Sequence, residues 1–176
     1  MQPEIQFMVE LEPLNASHLA GVQRLVDDPV AIQFTRIPEP PPPGFAEAWF
    51  ARYEDGRREG TREAFAIVED GVFLGLALAP TIDRETATVE LGYIVAEEAR
   101  GRGVATAALR QLTEWTLRET GAKRIELLIS VDNVASKKVA ERSGYELEGV
   151  LRSTYLKQGR REDSEIWSLL APDAQQ

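Results

Sequence analysis

A strand, a glycine-rich turn and a long amphipathic helix follow one another in the middle of this chain, and this series limits the possible folds more than any other stretch. Residues 86–95 alternate, with Val89, Leu91, Tyr93 and Val95 on one side and Glu90, Gly92 and Ile94 on the other. A period of two is that of a strand. Ala99-Arg-Gly-Arg-Gly103 follows, and then Val104, Ala108, Leu112 and Trp115 recur at helical spacing over residues 104–119. Gly121 is the stop signal expected after such a helix. Residues 124–130 alternate again, with Ile125, Leu127 and Ile129 on one face. The unit is therefore a strand–helix–strand crossover.

The flanking segments have other signals. Residues 5–11 read as a first strand, and Ser17 as the cap of a helix reaching about Val26. A helical pattern resumes after Gly44, with Ala46, Trp49, Phe50 and Tyr53 on related faces, and breaks near residues 56–60. Residues 64–68 and 72–79 are apolar runs around Glu69-Asp-Gly71. An Asp-Gly pair between apolar runs predicts a hairpin. Asn133 can cap a short helix that Gly144 ends. Residues 145–157 and 162–170 predict a last hairpin around Gln158-Gly-Arg160. Antiparallel hairpins first and one crossover unit later make an α+β chain. Residues 38–43 hold five prolines in six positions. Such a stretch is a stiff connection, and could wall a substrate groove.

Composition narrows the chemistry. The 176 residues suit about one domain, read here as spanning the whole chain, 1–176. There is no cysteine and one histidine, His18. A disulfide framework, thiolate metal sites, a Cys nucleophile and a His-centred triad all fall away, and no metal is expected. His18 reads as a surface residue. With 20 basic and 29 acidic side chains the net charge is −9. That disfavours nonspecific nucleic-acid binding and suits cationic partners. No leader pattern stands at the start and no apolar run approaches ~18 residues, so neither a signal peptide nor a membrane span is expected. The expectation is a cytoplasmic protein.

The turn at Arg100-Gly-Arg-Gly-Val-Ala105 carries the chemistry. Glycines let the backbone curl so that several N–H groups face outward, with the positive end of the helix dipole behind them. Such a turn cradles a pyrophosphate. A P-loop needs Lys after its glycines, and none is present. A dinucleotide fingerprint is approached by Gly101-x-Gly103-x-x-Thr106 with Glu126 beyond, but no second βαβ unit accompanies it. Residues 96–142 hold nine basic and seven acidic side chains, a net of +2 that leaves −11 for the rest. A polyanion on an acidic protein needs such an island. Arg100, Arg102 and Lys138 are its candidates for phosphate; Arg110, Arg118 and Lys123 suit solvated helix faces.

Coenzyme A is the third possibility. Arg100-x-x-Gly103-x-Ala105 resembles the [QR]-x-x-G-x-[GA] signature of the GNAT N-acetyltransferase superfamily. Further motifs follow in order: Asp132-Asn133-x-x-Ser136, Val139-Ala-Glu-x-x-Gly144-Tyr145 and Glu148-Gly149. The series looks like the RimJ/RimL branch, closely so over residues 65–170. Phe34-Thr-Arg-Ile-Pro38 and Trp49 are also similar to that branch.

The resemblance implies a GNAT-type fold, a mixed, mostly antiparallel central sheet flanked by helices. It implies an acetyl-CoA-dependent N-acetyltransferase acting on a primary amine, such as a peptide N-terminus or a small cationic amine, and a homodimer. Pantetheine would run along Tyr93, Ile94 and Val95, with a main-chain N–H there as oxyanion donor. Gly101, Arg102, Gly103, Val104, Ala105 and Thr106 would hold the pyrophosphate, with Asn133 and Ser136 beside the pantetheine arm. Without a Cys nucleophile, acetyl would pass directly to the amine. Glu90 is the candidate base, and Ser136 and Tyr155 are the candidate donors. The RimL family places a glutamate, its proposed base, where this chain has Tyr155. Asp163 reads as structural or groove-lining. The alternative is an acyl-CoA-binding sensor or interaction module without turnover.

Overall fold

The computed structural model describes residues 8–173. Its elements, in chain order, are β1 (Glu10–Pro13), a 3-10 turn (Ala16–His18), α1 (Leu19–Val26), α2 (Pro29–Phe34), α3 (Phe45–Glu59), β2 (Glu63–Glu69) and β3 (Val72–Asp83). They continue with β4 (Thr88–Val95), a second 3-10 turn (Glu97–Ala99), α4 (Val104–Thr120), β5 (Arg124–Ser130), α5 (Val134–Arg142), β6 (Glu146–Lys157) and β7 (Arg160–Leu170). The seven strands form one sheet in the order β1-β2-β3-β4-β5-β7-β6. Only β4 and β5 are parallel. The α+β, mostly antiparallel architecture expected from the sequence is thus observed.

Each sheet face has its own core. On one face α4 lays Val104, Ala108, Leu109 and Leu112 over Val89, Leu91, Ile125, Leu127 and Ile129. Trp115 meets Phe65 edge-on, with centroids 5.1 Å apart. On the other face α1 and α3 cover Ala64, Ala66, Leu76 and Leu78 with Val22, Leu25, Ala46 and Tyr53. Each buried aliphatic side chain contributes roughly 1.5–3 kcal/mol of transfer free energy.

Two expectations are corrected. The 3-10 turn is capped by Asn15, whose Oδ1 accepts from Ser17 N; Ser17 caps nothing. His18 is buried, not on the surface. Its Nδ1 accepts from Asn15 N at 3.2 Å, and its Nε2 stands 3.3 Å from Glu12. The expected break near residues 56–60 is observed: α3 ends at Glu59 with left-handed Gly60 as its C-cap. A Cβ at Gly56 would stand 2.6 Å from Arg62 Cβ, so this glycine serves close packing inside the helix. The first strand begins at Glu10, and residues 5–7 of the expected strand lie outside the described residues. Helix α2 was not expected, although Asp28-Pro29 is a start signal: Asp28 Oδ1 accepts from Val30 N and Ala31 N, with Pro29 in the first turn.

Candidate active site

The cradle lies between β4 and α4. Gly101 and Gly103 are left-handed, with φ of 73° and 81°. No side chain caps α4, whereas Asn133 caps α5 and Asp28 caps α2. The first bond back along α4 is Ala107 N to Gly103 O, at 3.0 Å. The N–H groups of Val104, Ala105 and Thr106 therefore come before any intrahelical acceptor, as in any first helical turn. With the dipole behind them they suit an anion.

The arginines of this turn face inward. Arg100 Nε donates to Val95 O at 3.1 Å, and its Nη2 donates to Asp28 Oδ2 at 2.6 Å. Arg102 Nη2 donates to Glu69 Oε2 at 2.5 Å. Both were expected to meet phosphate with their side chains. In the structure they tie the turn to the end of β4, to the start of α2 and to the β2–β3 hairpin. Lys138 is exposed on α5. Asn133 Oδ1 accepts from Ser136 N at 3.1 Å, which makes Asn133 the helix cap it was read as.

Beside the cradle the sheet opens. Strands β4 and β5 pair from Thr88↔Arg124 to Leu91↔Leu127 and no further. Beyond that point β4 stays with β3 as far as Val95, while β5 stays with β7 as far as Ser130. The edge of β4 over Gly92, Tyr93, Ile94 and Val95 thus faces a gap. Two details of β3 hold that edge. Ala79 and Pro80 together oppose Leu91, a bulge where a proline lacking its N–H is tolerated. A Cβ at Gly75 would stand 2.2 Å from Ile94 O, so only glycine lets β3 approach so closely.

The remaining candidates divide between the two faces. On the α4–α5 face Tyr93 Oη lies 2.6 Å from Ser136 Oγ. Burial pushes the Tyr93 hydroxyl up to about 12, so it stays protonated. On the opposite face Glu90 Oε1 accepts from Arg36 Nη2 at 2.8 Å. Glu90 stands beside Glu126 across the parallel pair. Glu126 has its own cation: Arg124 Nε reaches it at 2.5 Å and grips Glu148 with both Nη atoms at 2.7 Å. This grip holds the Glu148 carboxyl down at about 2.

Tyr155 is half-buried on β6, opposite Glu162, and is not hydrogen-bonded to Glu90 or Ser136. Asp163 is structural, its Oδ1 accepting from Ser153 N at 2.7 Å where β6 bulges. Sequence reasoning missed Lys157 and gave Arg36 and Glu126 no task at this site. Lys157 is buried, donates from Nζ to Ile37 O, and is held below the usual lysine range by desolvation. Next to it Gln158 Nε2 donates to Glu39 Oε1 at 3.0 Å. The last hairpin is thereby strapped to the proline-rich segment. Nothing local marks such pairings, which join residues about 120 positions apart.

Comparison with known proteins decides the family. The Acetyltransferase (GNAT) domain matches residues 9–146. The chain belongs to the GNAT acetyltransferase family. A ribosomal N-acetyltransferase candidate of Bacillus subtilis, YdaF, is 32% identical over 104 residues, covering 59% of this chain and 57% of YdaF. The L-amino acid N-acetyltransferase AaaT of Escherichia coli is 31% identical over 121 residues, 66% of this chain and 71% of AaaT. The chain thus spans just under three fifths of YdaF. Among solved structures, the ribosomal L7/L12 α-N-protein acetyltransferase RimL in complex with coenzyme A superposes with a TM-score of 0.84 at 21% identity. That match covers 92% of this chain and 93% of RimL, and it shows the same GNAT fold. These relatives agree with the RimJ/RimL branch that the motifs resemble.

Proposed function

We propose that this GNAT chain is an acetyl-CoA-dependent N-acetyltransferase that moves acetyl directly to the α-amino group of a peptide or small molecule. The observation that carries the reading is the parting of β4 and β5 beside an uncapped, glycine-led helix N-terminus in a chain of this family. A thioester in that gap can be reached from both sheet faces at once. Acetyl-CoA supplies the acetyl group as an activated thioester. The N–H groups of Gly101, Gly103, Val104, Ala105 and Thr106 suit its phosphates, with Arg102 and Lys138 as side-chain candidates for the same charge. The edge of Tyr93, Ile94 and Val95 suits its pantetheine arm and offers an oxyanion donor. Asn133 retains an amide NH₂ for that arm while its Oδ1 caps α5.

The residues then have separate tasks. Glu90 takes the proton that the attacking amine sheds, directly or through one water. The C–N bond forms, the C–S bond breaks, and the electron pair leaves on sulfur. Ser136, on the other face, donates a hydrogen bond to that sulfur. Tyr155 belongs to the hairpin that walls the acceptor's approach. An α-amine, with a pKa near ~8, is neutral far more often at pH 7 than a lysine at ~10.4, which suits a carboxylate base. RimL is named for a protein α-amine and AaaT for L-amino acids; both acceptors carry an α-amino group. A ribosomal-protein acceptor would set the protein in the cytoplasm. The proposal includes a homodimer, supported by exposed Leu147, Val150, Leu151 and Leu156 on the edge strand β6. Sedimentation tests that part.

The decisive experiment follows thiol release from acetyl-CoA against alanine- and serine-starting peptides, lysine peptides, free amino acids, spermidine and an aminoglycoside. Turnover confined to α-amines is expected. Acetyl-CoA binding without turnover on any acceptor would replace the transferase with a sensor. Failure to bind acetyl-CoA would remove the cradle reading itself.

A further inference from the structure

The hydroxyl of the half-buried Tyr93 has no task in the chemistry above. Tyr93 lies two residues past Leu91, the last β4 residue paired with β5. Ser136 lies in the first turn of α5, the element that follows β5. The 2.6 Å contact between their hydroxyls therefore joins the two diverging arms of the sheet across the mouth of the gap. The Tyr93 hydroxyl also stands 3.2 Å from the Ser136 carbonyl. Both partners it reaches belong to Ser136. A carbonyl can only accept, so the longer contact needs the phenol proton, whereas either hydroxyl can donate in the shorter one. The phenol is a stronger donor than an aliphatic alcohol, and the shorter contact suits the stronger donor. The Ser136 N–H is already committed to Asn133 Oδ1, which fixes the first turn of α5 and the origin of the Ser136 side chain.

We propose that Tyr93 is a positioning residue: its hydroxyl donates to Ser136 Oγ and so leaves the Ser136 O–H free to point into the gap, at the departing sulfur. The inference rests on the acyl-transfer reading above. When the C–N bond forms and the C–S bond breaks, the electron pair moves to sulfur. Ser136 keeps its proton and donates a hydrogen bond to the thiolate, and Tyr93 keeps its proton throughout. The thiolate takes its proton from water after release. The burial that raises Tyr93 agrees with a hydroxyl that orients and does not ionise.

The test is a binding measurement that needs no turnover. A donor aimed at sulfur favours bound thiolate over bound thiol. The Kd of CoA should then fall as pH rises from 7 to 9.5, through the ordinary thiol range near ~8.5. Acetyl-CoA, whose sulfur cannot ionise, corrects for every other titrating group. The ratio of the two affinities is expected to shift about fivefold toward CoA in the wild type, and to stay flat in Tyr93→Phe and in Ser136→Ala. Ser136→Ala changes only the half-buried helix side and keeps the inference testable if Tyr93→Phe fails to fold. With the α-amine acceptor, kcat of Tyr93→Phe is expected to fall about tenfold at unchanged acetyl-CoA KM. It should fall no further when Ser136→Ala is added. A flat ratio in the wild type, a ratio that still shifts in either variant, or additive losses of kcat would each overturn the proposal while leaving acyl transfer standing. No binding of either ligand to the wild type would overturn both.

Discussion

Glu90 shows how one residue's task depends on its neighbours. Its carboxylate is held by the mostly exposed Arg36 guanidinium and lies beside Glu126. A solvent-facing cation can leave, so the ion pair does not bar Glu90 from accepting a proton. Glu90→Gln is expected to lower kcat about 10²-fold and to leave acetyl-CoA KM unchanged. Unchanged kcat across pH would assign the base elsewhere. Gly75 shows the opposite case, a residue that acts by having no side chain. The Cβ of Gly75→Ala would meet Ile94 O at 2.2 Å and Val95 Cα at 3.0 Å, both backbone atoms of the gap's edge. Overpacking of this kind costs about 1–3 kcal/mol. A lower Tm together with weaker CoA binding by calorimetry is expected; a lower Tm alone would detach this edge from the cofactor.

Among the elements, α2 and the cradle depend on one carboxylate. Asp28 caps α2 with Oδ1 and holds Arg100 with Oδ2. Asp28→Ala should cost about 1 kcal/mol for the cap and also loosen the turn. Asp28→Asn keeps a capping oxygen and loses the ion pair. CoA affinity is therefore expected to fall severalfold in both variants, with urea stability falling mainly in the first. Equal CoA affinity in all three proteins would show that Arg100 does not position the cradle. The elements themselves were legible where their signals are local. Residues 124–130 and the Asn133 cap stand where the pattern put them. At Asp70-Gly71 both turn residues have positive φ, as a tight hairpin needs. Ser17 and His18 depart from expectation for two reasons: the neighbouring Asn15 takes the cap, and His18 is buried against the sequence-distant Phe73.

Across the whole molecule, Arg124 joins β5 to the edge strand β6 through Glu148. The Glu148 carboxyl is held at about 2 against an ordinary 4.5. A depressed carboxylate stabilises the fold fully above 4.5, and that contribution is lost as pH falls toward 2. Glu148→Gln is therefore expected to unfold at lower urea than the wild type at pH 7. The two midpoints should converge as pH falls from 4.5 to 2, and a constant difference would locate the effect outside this ion pair. The pair is solvent-accessible, so the difference should be small and should shrink with salt.

The sequence alone determined the elements other than α2, the crossover unit, the glycine cradle and the family, because periodicity, capping and glycine turns are written in residues close together. It also removed thiol and imidazole chemistry by composition. Tertiary structure alone decided which charges are already committed. It turned Arg100 and Arg102 onto Asp28 and Glu69, set Arg36 on Glu90 and brought the Tyr93 hydroxyl to Ser136. It also strapped the proline-rich segment to the last hairpin. Each of these contacts joins residues from 33 to 120 positions apart. Such contacts are chosen by the stacking of the sheet and its helices, and no local pattern in the chain records that stacking.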